Sequence, residues 1–78
     1  MRNELEVRDL YKQYIYRYAL AQIDQDKEKK LMFMGASIAL GRTLHKDLKK
    51  INIDQVLAIS FIERLREEGK ELPGFKEV

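Results

Sequence analysis

His45 is the only imidazole in this sequence, and no cysteine accompanies it. Histidine is the side chain best suited to move a proton near neutral pH, but such catalysis needs a nucleophile or a carboxylate within hydrogen-bond reach. None stands beside it in a catalytic spacing: Asp47 is two residues away and on a different helical face. A transition-metal site needs more nitrogen or thiolate ligands than the chain has, and Asp24 and Asp26 could hold a hard cation only weakly. Nor is there a glycine-rich phosphate loop, because Gly35 and Gly41 fall inside a helical stretch instead of a strand-to-helix turn. The expectation is a protein that is not an enzyme and has no catalytic residue, cofactor or metal.

Binding chemistry is better represented. Tyr11, Tyr14, Tyr16 and Tyr18 interleave with Lys12 and Arg17, a pattern that could stack bases beside phosphate contacts. Three of these tyrosines share one helical stripe, which favours a core role for them. Tyr16 points the other way and reads as an interface anchor, since tyrosine is enriched at the centres of protein contacts. Arg42, Lys46, Lys49 and Lys50 form a basic sector with His45 at its margin, and this is the one feature that suggests DNA or RNA. A helix-turn-helix model built on it fits badly. Asp54, Glu63, Glu67 and Glu68 make the would-be recognition helix acidic, and the preceding turn lacks glycine.

The elements that must carry these groups are helices, with Pro73 as the only proline. Val7, Leu10, Tyr11, Tyr14, Tyr18 and Ala21 recur at steps of three and four, which predicts a helix over about 4–23. Asp24 to Lys30 is almost entirely charged and reads as a turn, although one continuous helix through it is also compatible with the periodicity. A second helix is predicted over about 27–49, with Phe33, Ser37, Leu40, Leu44, Leu48 and Ile51 as its seam. Lys46, Lys49 and Lys50 then complement the negative end of its dipole. Asn52 and Gln55 have the spacing of a capping box, with Ile51 placed to staple against Val56, so a third helix is predicted over about 53–68. Gly69 suits its left-handed terminus. Beyond it, Pro73-Gly74 suits a turn that could return Leu72 and Phe75 to the body. The fold class is all-α: a single-domain three-helix bundle over residues 1–78 with a short C-terminal tail.

These helices carry more apolar surface than a monomeric bundle requires. Tyr16, Leu20 and Ile23 form a second stripe on helix one. Leu31, Met34, Ile38 and Gly41 lie to one side of the seam of helix two, and Met32, Ala36 and Ala39 to the other. On helix three, Val56, Leu57, Phe61 and Leu65 read as the core side, with Ile59 and Ile62 pointing away. Contiguous apolar patches mark interaction surfaces, and the commonest closed solution is a two-fold homodimer. The expected interface is therefore Tyr16, Leu20, Ile23, Met34, Ile38, Ile59 and Ile62. Two glycines within seven residues also suggest that another backbone comes close to helix two, a tight helix crossing being preferred over a ligand.

Composition sets the outer bounds. With 15 basic and 13 acidic residues the net charge is +2, too small to argue for a nucleic-acid or membrane partner by itself. The longest uncharged run, Leu31 to Gly41, is shorter than the roughly 20 residues a membrane span needs. The charged start MRNELEVRDL and the lack of cysteine point to the cytoplasm. A homo-oligomeric protein-interaction or regulatory module with a protein partner is the leading expectation. A small helical nucleic-acid binder is the alternative.

Overall fold

The computed structural model describes residues 3–70. They form an all-α three-helix bundle of α1 (Glu4–Ile23), α2 (Lys27–Thr43) and α3 (Leu48–Glu67). The expected tail features at Leu72, Pro73-Gly74 and Phe75 lie outside the described residues.

Each helix starts on an Asx side chain that accepts a hydrogen bond from a free first-turn amide: Asn3 from Glu6, Asp26 from Lys29 and Asp47 from Lys50. Each ends in the same paired-bond closure. In α3, Gly69 donates to the Arg66 carbonyl and Lys70 to that of Leu65, with Gly69 at φ +68. In α1 and α2 the left-handed position is filled by Gln25 and His45, at φ 59 and 62. Their amides, and those of Asp26 and Lys46, close the ends of the two helices.

This corner corrects two expected boundaries. Helix two stops at Thr43, not near 49, and helix three begins at Leu48, not near 53. Asp47 is the cap, and the Ile51-Asn52 pair lies inside α3. Lys49 and Lys50 consequently occupy the first turns of α3, where cations oppose the helix dipole; they do not complement the end of α2.

The chain runs up, down and up. Tyr11 lies beside Gly41, and Tyr14 beside Phe33, so α1 and α2 are antiparallel. Tyr11 meets Asp54 and Asp24 meets Arg66, so α1 and α3 are parallel. Helix one is the central element, and α2 and α3 touch each other least. Tyr11, Ile15, Ala19, Ile51, Ala58 and Ile62 make the buried cluster. Each fully buried large aliphatic side chain there contributes about 1.5–3 kcal/mol relative to exposure.

The inner side of α3 is Ile51, Gln55, Ala58 and Ile62, at steps of four, three and four. Gln55 is buried and donates from Nε2 to Ser37 Oγ at 3.1 Å, while Ser37 donates to the Met34 carbonyl at 2.9 Å. Among the described residues no buried side-chain polar atom lacks a partner.

The two internal glycines of α2 differ. A methyl group on Gly41 would lie 2.6 Å from Ile51 Cδ1 and 3.1 Å from a Tyr11 ring carbon, so this glycine makes room for side chains of both neighbouring helices and not for a second backbone. Gly35 has nothing within 4 Å of its would-be Cβ. Gly35→Ala should therefore raise stability by about 0.5–1 kcal/mol through helix propensity alone, measurable as a higher urea midpoint at unchanged slope. A lower midpoint would reveal a second backbone packed against that face.

Candidate interaction surface

The seven residues expected at an interface are largely consumed inside the chain. Ile62 is fully buried, and Tyr16, Leu20, Ile23, Ile38 and Ile59 pack against the core cluster. Met34 is half-buried. The reason is the central place of α1, which needs one apolar stripe for each neighbour. Tyr14 meets Phe33 of α2 and Tyr16 meets Phe61 of α3, both at 5.8 Å between ring centroids. The expected orientation of α3 is reversed at all but Leu65, which packs against the cluster as expected: Ile62 faces inward, and Val56, Leu57 and Phe61 face out.

The surplus apolar surface is thus real but lies elsewhere. Along α3 the exposures are Val56 62%, Leu57 61%, Ile53 50%, Leu48 46% and Phe61 40%. Leu48, Ile53, Val56 and Leu57, with Lys49 and Asn52, line a shallow depression of about 540 Å³ on the outward side. Leu57 and Phe61 also border a larger groove, about 820 Å³, between α1 and α3. Its floor includes Tyr11, Ile15 and Ala58, and its rim includes Lys12, His45 and Lys50. Leu31 and Met32 are exposed separately on α2.

At the end of that groove the Tyr11 hydroxyl donates to Asp54 at 2.5 Å. Lys46 Nζ lies 3.4 Å from the same carboxylate oxygen and 5.3 Å from the centroid of the Tyr11 ring. Burial first, and then the hydrogen bond and negative charge of Asp54, hold the Tyr11 phenol well above its usual range. It is kept as a neutral donor.

The basic sector does not stay together as one helical face. Arg42 is exposed on the last turn of α2, Lys46 is committed to Asp54 and Tyr11, and Lys49 and Lys50 are exposed on the first turns of α3. His45 is an exposed corner residue. Asp24 pairs with Arg66 at 3.0 Å, and Asp26 caps α2. Among the described residues no group of three or more His, Cys, Asp or Glu side chains could hold a metal. No helix among them is long and apolar enough to cross a membrane.

The face of α3 is built from residues the sequence displays openly, but its direction depends on two small or polar core positions, Gln55 and Ala58, that hydropathy does not select. No family model matches the chain, and neither a curated protein nor a solved structure does.

Proposed function

We propose that this chain is a cytoplasmic protein-interaction module that works as a homodimer in a regulatory or assembly role, with the outward face of α3 as its contact. The observation that carries this reading is the run of large apolar side chains left in solvent on one helix: Leu48, Ile53, Val56, Leu57 and Phe61. Single exposed apolar residues are ordinary on protein surfaces, but a contiguous set is the signature of a contact. Ile53, Val56 and Leu57 lie on the side of α3 away from its buried positions, so a partner can cover them without disturbing the bundle, and Leu48 and Phe61, the latter with its ring against Tyr16, flank them. The cytoplasm is supported by the lack of cysteine.

Light scattering coupled to size exclusion tests the reading. At micromolar concentration the wild-type mass should be twice the 9.3 kDa of one chain. Val56→Asp should return it to one chain with an unchanged helical circular dichroism spectrum. A single-chain mass for the wild type throughout the concentration range would overturn the proposal.

A further inference from the structure

We draw no further inference here: the strongest candidate, the groove between α1 and α3 floored by Tyr11, Ile15 and Ala58, carries nothing, because its lining sets Lys12 and Lys50 beside the carboxylates of Asp9 and Asp54, so that charge selects no ligand, and nothing in the structure shows what covers it.

Discussion

Ile62→Asp is expected to unfold the protein. Ile62 is fully buried in the cluster that joins α3 to α1. Removing a buried aliphatic side chain of this size costs about 2–5 kcal/mol through lost transfer energy and the cavity left behind. The carboxylate adds several kcal/mol more unless it is protonated or reaches water. Domains are stable by only about 5–15 kcal/mol, and one this small belongs at the lower end. The combined penalty is comparable to the whole stability. Circular dichroism at 222 nm should show loss of most helical signal or of the cooperative urea transition. Val56→Asp, the same acidic replacement on the opposite side of α3, should keep the helical signal. A folded Ile62→Asp variant with a wild-type midpoint would show that α3 does not present this face to α1.

Gly41→Ala carries the second largest expected effect, because helix propensity and packing pull in opposite directions. On an open helix the change would gain up to about 1 kcal/mol, as it should at Gly35. At Gly41 the new methyl would stand 2.6 Å from Cδ1 and 2.7 Å from Cγ1 of Ile51. Ile51 is fully buried, and Cγ1 is the branch nearer the backbone, so it cannot simply swing into solvent. Overpacking of this kind typically costs 1–3 kcal/mol, and the net result should be a loss of up to about 2 kcal/mol, read as a lower denaturant midpoint. Ile51→Val removes Cδ1 and should offset part of that loss. In a double-mutant cycle the pair should therefore be less damaging together than the sum of the single changes. Strict additivity would show that the two residues do not meet.

How far the sequence foretells this molecule depends on the kind of signal each element carries. The extent of α1 and the start of α2 are legible because a long three-and-four pattern ends in a charged turn with Asp26 ready to cap. The corner between α2 and α3 is misread because Asp47 and Asn52 are equally good caps by type. The left-handed position that decides between them is filled by His45 instead of glycine. On α3 the large apolar residues outnumber the core positions, so hydropathy selects Val56, Leu57 and Phe61 while the fold buries Ile51, Gln55, Ala58 and Ile62. A small alanine and a polar glutamine there make sense only once α1 and Ser37 are in place against them. Tyr16, Leu20 and Ile23 are a genuine second stripe, and the structure shows its purpose: the central helix has two neighbours.

The Ser37 and Gln55 hydrogen bond bears on the axial register of the bundle. Apolar contacts tolerate sliding, since one methyl group substitutes for another at little cost, and α2 and α3 have few contacts to resist it. A polar pair is less forgiving. Moving α3 by one turn, about 5.4 Å, would carry the Gln55 amide away from Ser37 Oγ and strand a buried donor, at about 1–3 kcal/mol. Ser37 would keep its bond to the Met34 carbonyl in either position, so the penalty falls on Gln55 alone. The buried amide thus works as a detent, and together with the Gly41 notch that receives Ile51 it selects a single stopping point of α3 along α2.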